Sequence, residues 1–163
     1  MPNPKSNILV TGGAGYIGSH TVHVLRERGY NIVVLDNLST GHAPAVPRDV
    51  PLIIGDIRDT ELVQKTLQEH SIQAVIHFAA DSLVGESMEK PAKYYRNNVV
   101  ATLSLLESML ACHVNKIVFS STAAVYGEPE QYPITEDMPT KPTNVYGRTK
   151  LVIEGMLADF AQA

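Results

Sequence analysis

The stretch Thr11-Gly12-Gly13-Ala14-Gly15-Tyr16-Ile17-Gly18 decides the fold of this 163-residue chain. It follows a short apolar run and precedes a segment with helical spacing of apolar residues, so it joins a strand to a helix. Gly12, Gly15 and Gly18 permit a tight turn, a close approach of the backbone to a pyrophosphate, and close packing of helix on strand. The start of the helix adds free N–H groups and the positive end of the helix dipole. The stretch therefore predicts a dinucleotide phosphate site.

Short β-branched runs alternate with longer helical segments along the rest of the chain. Strands are predicted over residues 7–11, 31–35, 51–54, 74–78 and 116–120, and helices over residues 16–28, 60–69 and 91–111 and from about residue 144 onwards. Continuous apolar strands are typical of a parallel sheet that is buried on both faces. The pattern predicts an α/β fold, with a doubly wound, Rossmann-like parallel sheet in a three-layer α/β/α arrangement.

Composition and charge narrow the possible partners. Hydrophobic residues make up 44% of the chain and charged residues 18%, and the net charge is −4 without a cluster of Lys and Arg. A nucleic-acid partner requires a basic face, so none is expected. The single cysteine, Cys112, fits a reducing compartment. No apolar stretch approaches the ~18 residues of a membrane span, and residues 1–7 are too polar for a secretory signal, so we expect a cytoplasmic protein without a membrane partner.

Two acidic residues at strand ends extend the predicted cofactor site. Asp36 closes the second strand, where an acid binds the adenosine ribose hydroxyls and repels a 2′-phosphate, which favours NAD over NADP. The alternative for Asp36 is a turn-initiating carboxylate before Asn37. Asp56 follows the third strand and would reach the adenine amine, although Asp56 and Asp59 also suit the caps of helices.

Tyr146 and Lys150 form a second signal. They are four residues apart, so on a helix they share one face. An ammonium close to a phenol stabilises the phenolate and makes proton transfer feasible near neutral pH, although such pairs also occur by chance. A third signal is the hydroxyl-rich run Ser120-Ser121-Thr122, which follows a predicted central strand. The three signals in this order favour an enzyme over a non-catalytic dinucleotide-binding module, because a module has no need of a base.

These motifs resemble those of the extended short-chain dehydrogenase/reductases, and within them the UDP-sugar 4-epimerases of the NAD-dependent epimerase/dehydratase family. The resemblance also rests on residues 77–87 (HFAADSLVGES) and 94–99 (YYRNNV), and it covers the chain from Ile8 to its end. It implies interconversion of UDP-galactose and UDP-glucose through a 4-keto intermediate, with tightly bound NAD. UDP-N-acetylglucosamine and UDP-glucuronate are the alternative substrates.

The resemblance also implies a role for each site residue. Tyr146 would take the proton of the sugar 4-hydroxyl, Thr122 would hydrogen-bond that hydroxyl, and Lys150 would hold the nicotinamide ribose and tune the phenol. The residues expected at the cofactor are Gly12, Gly15, Tyr16, Ile17, Gly18, Asp36, Asn37, Asp56, Ile57, Phe78, Ala79, Ala80, Asn97, Ser120, Tyr146 and Lys150.

The chain departs from the family pattern at a few positions. Ser82 stands where some epimerases have lysine, so one cofactor contact is expected to be lost or replaced. Thr122 stands where serine is common, and its hydroxyl can do the same work. Ala123 and Ala124 stand where the related 4,6-dehydratases have Asp-Glu, so a dehydratase would lack its acid and base.

The family pattern also sets expectations for the whole chain. Residues 1–163 are expected to form one NAD-binding domain that lacks the final strands and the substrate lobe, and to have negligible epimerase activity alone. A homodimer is expected through helices 91–111 and 145–161, although Leu103, Leu106 and Leu110 could instead face the sheet as core. No metal site is expected, because no acid or cysteine completes a ligand set with His20 and His23.

Overall fold

Five parallel strands form the sheet, and their spatial order is β3-β2-β1-β4-β5. A computed structural model describes residues 6–162; residues 1–5 and 163, which belong to the expected domain, lie outside the described residues. The strands are β1 Asn7–Thr11, β2 Asn31–Asp36, β3 Leu52–Ile54, β4 Ala74–His77 and β5 Ile117–Phe119. Because β4 pairs with β1 on the side away from β2, the strand order reverses between them. This topology confirms the doubly wound parallel sheet.

Helices alternate with these strands. They are α1 Tyr16–Glu27, α2 Thr60–Glu69, α3 Val84–Glu89, α4 Pro91–Tyr94, α5 Ala101–Ala111 and α6 Val145–Gln162, with 3₁₀ turns at Ala43–Ala45 and Ala123–Tyr126. The expected cap of α2 is confirmed, because the Asp59 carboxylate accepts the Leu62 N–H at 3.0 Å. Across residues 6–162, none of these helices combines the length and apolarity that a membrane crossing requires.

The single helix expected over residues 91–111 is interrupted. A wide π-helical turn, Tyr95–Val100, separates α4 from α5. A π turn accommodates one more residue than an α-helical turn, and such turns are frequent at functional sites. Within this one, Asn98 is fully buried and its carbonyl accepts the Thr102 hydroxyl at 2.6 Å. Apolar spacing carried no sign of this break.

The core lies along the inner strands. Leu9, Val34 and Val75 are completely buried, whereas Ile54 on β3 and Val118 on β5 are 64% and 63% exposed. The expectation that every strand is buried on both faces is therefore wrong for the two outermost strands.

Helix α5 buries a different stripe from the one that leucine spacing suggested. Leu105, Leu106 and Met109 are buried, whereas Leu103 is 37% and Leu110 is 55% exposed. The core interpretation is correct for Leu106 and wrong for the other two leucines. Apolar residues lie on more than one face of this helix, and tertiary packing determines which face is buried.

The chain divides into two compact units. The first comprises Met1–Ala79 and Ser104–Ser120, described from residue 6 onwards, and it contains the whole sheet. The second comprises Ala80–Leu103 and Ser121–Ala163, described as far as residue 162, and it contains α3, α4 and α6. The expectation of one domain over residues 1–163 stays a prediction.

Candidate functional site

The glycine turn of the first unit joins β1 to α1 at the point where the strand order reverses. Gly12 has a φ of +72°, and its N–H donates to Leu35 O at 2.9 Å. A Cβ at Gly12 would lie 2.6 Å from the Ala79 nitrogen, so the turn packs directly against the end of β4. Helix α1 then begins after Gly15 without a side-chain cap and without an acid in its first turn. These features fit a pyrophosphate, which needs close backbone approach and free N–H groups.

The other predicted residues of the turn lie where the sequence places them. Tyr16 and Ile17 are exposed on the first turn of α1, and Gly18 is buried on the same turn. Phe78 follows β4 and is partly buried, and its N–H donates to Thr11 O at 2.9 Å. Because parallel strands end at one edge of the sheet, the structure brings Phe78 to the edge that carries the glycine turn.

Asp36 closes β2 and is only 7% exposed. Its Oδ2 accepts the Ala14 N–H at 2.9 Å, and its Oδ1 accepts the Leu38 N–H at 2.8 Å. The carboxylate therefore fastens the glycine turn to the loop after β2, and the alternative role of a turn-initiating carboxylate is present. Since each carboxylate oxygen has a second lone pair, Asp36 can still accept a ribose hydroxyl. Binding of the ribose by Asp36 stays a prediction.

Asp56, beyond β3, is paired with Arg58. The Asp56 carboxylate accepts from the Arg58 backbone N–H at 2.9 Å, from Nε at 2.8 Å and from Nη2 at 2.6 Å. These bonds hold the pKa of Asp56 at about 2. Asn37 lies beside the same carboxylate, with its Nδ2 3.5 Å from Oδ2, and Ile57 is buried. Arg58 was not predicted from the sequence, and its position two residues after Asp56 is the signal for it.

In the second unit, Tyr146 and Lys150 lie on α6, four residues apart as predicted. Lys150 Nζ is 5.9 Å from the centroid of the Tyr146 ring, and the lysine is only 3% exposed. Burial lowers the pKa of Lys150 from 10.5 to about 8. The lysine can therefore exchange its proton near neutral pH.

Thr122 begins the 3₁₀ turn that packs on α6. Its Oγ1 accepts the Ala124 N–H at 3.2 Å. A Cβ at Gly147 would lie 2.5 Å from Ala124 O, so backbone meets backbone at this point. The glycine immediately after Tyr146 therefore allows the first turn of α6 to approach the Thr122 segment closely.

A hydrogen bond that the sequence analysis missed also holds the Thr122 segment to α6. The Ser121 hydroxyl donates to Glu154 Oε1. Glu154 lies one helical turn beyond Lys150, so the spacing of four residues that links Tyr146 to Lys150 continues to Glu154. That continued spacing is the signal by which Glu154 can be found.

A second polar group, Asn98, was also missed. Asn97 was the predicted residue and is partly buried, whereas Asn98 is fully buried. Its amide donates to Asp81 O at 3.0 Å and to Thr149 Oγ1 at 3.1 Å, and its Oδ1 accepts the Asp81 N–H at 2.8 Å. Thr149 Oγ1 donates in turn to Tyr146 O at 2.7 Å. Nothing in the pattern distinguishes the two adjacent asparagines, and only packing selects Asn98.

The remaining predicted positions lie in different parts of the chain. Ala80 is partly buried and Ser82 is exposed in the second unit, and the Ser120 N–H donates to His77 O at 3.1 Å in the first. His77 is buried, and its Nδ1 lies 2.6 Å from Thr11 Oγ1, so it is packed and hydrogen-bonded. Across residues 6–162, no three His, Cys, Asp or Glu side chains are grouped to hold a metal ion.

Known proteins match this chain in sequence and in structure. The model of the NAD dependent epimerase/dehydratase family matches residues 8–163. UDP-glucose 4-epimerase of Halalkalibacterium halodurans is 62% identical over 149 residues, which are 91% of this chain and 44% of that protein. The crystal structure of UDP-glucose 4-epimerase from Brucella ovis in complex with NAD has a TM-score of 0.94 and 52% identity, and it covers 97% of this chain and 48% of that one. The Bifidobacterium longum enzyme in complex with NAD+ and UDP has a TM-score of 0.90 and 42% identity, with 94% and 48% covered.

The chain thus spans about half the length of the relatives it matches. The match includes the glycine turn, the acidic strand ends and the helix that carries Tyr146 and Lys150. The chain belongs to the NAD dependent epimerase/dehydratase family.

Proposed function

We propose that this chain supplies the NAD site and the proton-transfer residues of a UDP-glucose 4-epimerase, which interconverts UDP-galactose and UDP-glucose. The observation that carries the proposal is the buried ammonium of Lys150 close to the Tyr146 ring. Burying an ammonium is costly, and its place beside a phenol suits proton transfer, which a module that only binds a dinucleotide does not need. The Brucella ovis and Bifidobacterium longum enzymes, crystallised with NAD and with NAD+ and UDP, support the same cofactor and substrate class.

The first unit would hold the cofactor. Bound NAD would supply the acceptor for the hydrogen and electron pair at C4 of the sugar. The backbone at Gly12 and the uncapped start of α1 would bind the pyrophosphate. Asp36 would accept the adenosine ribose hydroxyls, and its negative charge disfavours the 2′-phosphate of NADP.

The second unit would move the proton. An isolated phenol has a pKa of about 10 and is a poor base at neutral pH. In the proposed reaction Tyr146 would take the proton of the sugar 4-hydroxyl and return it after the hydrogen is delivered to the other face, and the Lys150 ammonium would offset the negative charge on the phenol oxygen. The Thr122 hydroxyl would hydrogen-bond the same sugar oxygen.

The test of this proposal is Tyr146→Phe in the protein that carries this chain. We expect UDP-galactose turnover to fall by about 100-fold or more, because general acid–base catalysis contributes that much. Binding of NAD, measured by calorimetry, should remain selective over NADP in the variant. Tyr132→Phe is the matched control, since Tyr132 is 75% exposed and should tolerate loss of its hydroxyl. Full turnover in Tyr146→Phe, or no turnover in the unaltered protein, would contradict the proposal.

Self-association is a second part of the proposal. Val100, Leu103 and Val152, in the helical regions 91–111 and 145–161, are 49%, 37% and 39% exposed. Apolar side chains left open on neighbouring helical segments favour burial against another copy of the chain. A homodimer through these helices, in the cytoplasm, is therefore part of the proposed function.

A further inference from the structure

The first turn of α6 is capped by two side chains of different origin. The first N–H groups of a helix have no intrahelical acceptor. Asn144 Oδ1 accepts the Gly147 N–H at 2.7 Å, which is a local cap. The Tyr146 N–H instead donates to Ser87 Oγ at 3.1 Å, across 59 residues of sequence. The backbone of the tyrosine is therefore held by a separate element, α3.

The Ser87 hydroxyl is fixed in one orientation. Ser87 is fully buried, and its Oγ donates to Val84 O at 2.6 Å. That bond occupies the hydroxyl proton, so only the lone pairs remain for other contacts. The oxygen is thus a committed acceptor for the Tyr146 N–H.

Helix α3 is itself fastened to its surroundings. Leu83 O accepts the Ser87 N–H at 3.0 Å and the Tyr94 hydroxyl at 2.7 Å, and Tyr94 is completely buried. Glu86 accepts from Lys93 Nζ at 2.8 Å, and this bond helps to lower the pKa of Glu86 to about 2. The acceptor offered by Ser87 is therefore anchored at both its side chain and its backbone.

We propose that Ser87 is a positioning residue for Tyr146 in the reaction proposed above. Ser87 accepts the backbone N–H of Tyr146, the residue that carries the phenol. The hydrogen bond therefore fixes the position of Tyr146 at the start of α6. Loss of the bond would displace the phenol from its reacting position without removing any group that contacts substrate. The chemical step should suffer, and substrate binding should not.

The first measurement is steady-state kinetics on the protein that carries this chain. We expect Ser87→Ala to lower kcat by about 10- to 100-fold with KM unchanged, the loss typical of a reacting group misplaced by a fraction of an ångström to one ångström. Ser87→Thr keeps the hydroxyl and should restore most of the rate. Ser87→Cys, which keeps the volume but accepts weakly, replaces Ser87→Ala if the alanine variant fails to fold. Met88→Ala is the control, because Met88 lies on the same helix and is 58% exposed.

The second measurement, amide hydrogen exchange, does not depend on turnover. In Ser87→Ala the Tyr146 N–H should exchange about 5- to 10-fold faster, the effect of losing one net hydrogen bond, while the Gly147 N–H stays protected. Asn144→Ala should give the opposite pattern. If the unaltered protein has no turnover, both the proposed reaction and the positioning role of Ser87 are wrong. If Ser87→Ala and Ser87→Cys keep full turnover, or if the Tyr146 N–H exchanges at an unchanged rate, only the positioning role is wrong.

Discussion

At the scale of single residues, the sequence shows the position of Lys150 but not its burial. Its spacing from Tyr146 is visible in the sequence, and a shared helix face follows from that spacing alone. The sequence does not reveal that Lys150 is only 3% exposed, because lysines are almost never fully buried in proteins. Burial also lowers the pKa of Lys150 to about 8, so the lysine can lose its proton closer to neutral pH than an ordinary lysine.

The lowered pKa of Lys150 predicts how stability depends on pH. The pKa is about 8 in the folded protein and 10.5 for an ordinary lysine. Between these values the unfolded chain carries the proton and the folded chain does not, so the free energy of unfolding rises as the pH increases through this window. Below the window both states are protonated, and the buried ammonium costs stability.

Urea unfolding of the unaltered chain and of Lys150→Met at pH values below and above this window measures the effect. The unaltered chain should gain stability relative to Lys150→Met at the higher pH, because methionine does not titrate. A difference between the two proteins that is the same at both pH values would show that Lys150 keeps its ordinary pKa.

At the scale of elements, the predicted boundaries hold to within one or two residues wherever a local signal marks them. Helix α2 is the clearest case, because Asp59 caps it as expected. The interruption of the long helix at Tyr95–Val100 and the short helix α3 were not predicted. Both depend on contacts with distant residues, such as the bond between Asn98 and Thr149 across 51 positions.

Packing of α6 on the Thr122 segment predicts opposite effects for two glycines of one helix. In Gly147→Ala the new Cβ would meet Ala124 O at 2.5 Å, so we expect a loss of stability of about 1–3 kcal/mol. At Gly155 a Cβ meets nothing within 4 Å, so Gly155→Ala should stabilise the chain by about 0.5–1 kcal/mol. Urea unfolding checks both variants. Equal stabilisation by the two alanines would mean that α6 does not approach the Thr122 segment closely.

At the scale of the whole molecule, the sheet topology and the family were foreseeable, and the exposed apolar surface was not. The alternation of strands and helices predicts a parallel, doubly wound sheet, and the structure shows which strand order it takes, β3-β2-β1-β4-β5. Which leucines of α5 stay exposed was decided by packing, since Leu106 is buried and Leu103 is not.

The exposed residues of the helical regions 91–111 and 145–161 predict how dimerisation responds to charge. Val152→Glu should convert the proposed dimer to a monomer, because a carboxylate at an apolar interface loses its hydration. Val24→Glu, on α1, also changes an exposed valine but lies outside the proposed interface, so it should leave the dimer intact. Sedimentation velocity distinguishes the two states. A monomeric unaltered protein, or a dimeric Val152→Glu, would rule out this interface.

The sequence by itself determined the features that depend on near neighbours: the glycine turn after β1, the order of the elements, and the four-residue spacing of Tyr146 and Lys150. These follow from spacing and backbone preference, which act over a few residues. Only the tertiary structure decided the burial of Lys150 and the capping of Tyr146 by Ser87, 59 residues away. Burial and competition among hydrogen-bond partners depend on which elements pack together, and no local pattern records that choice.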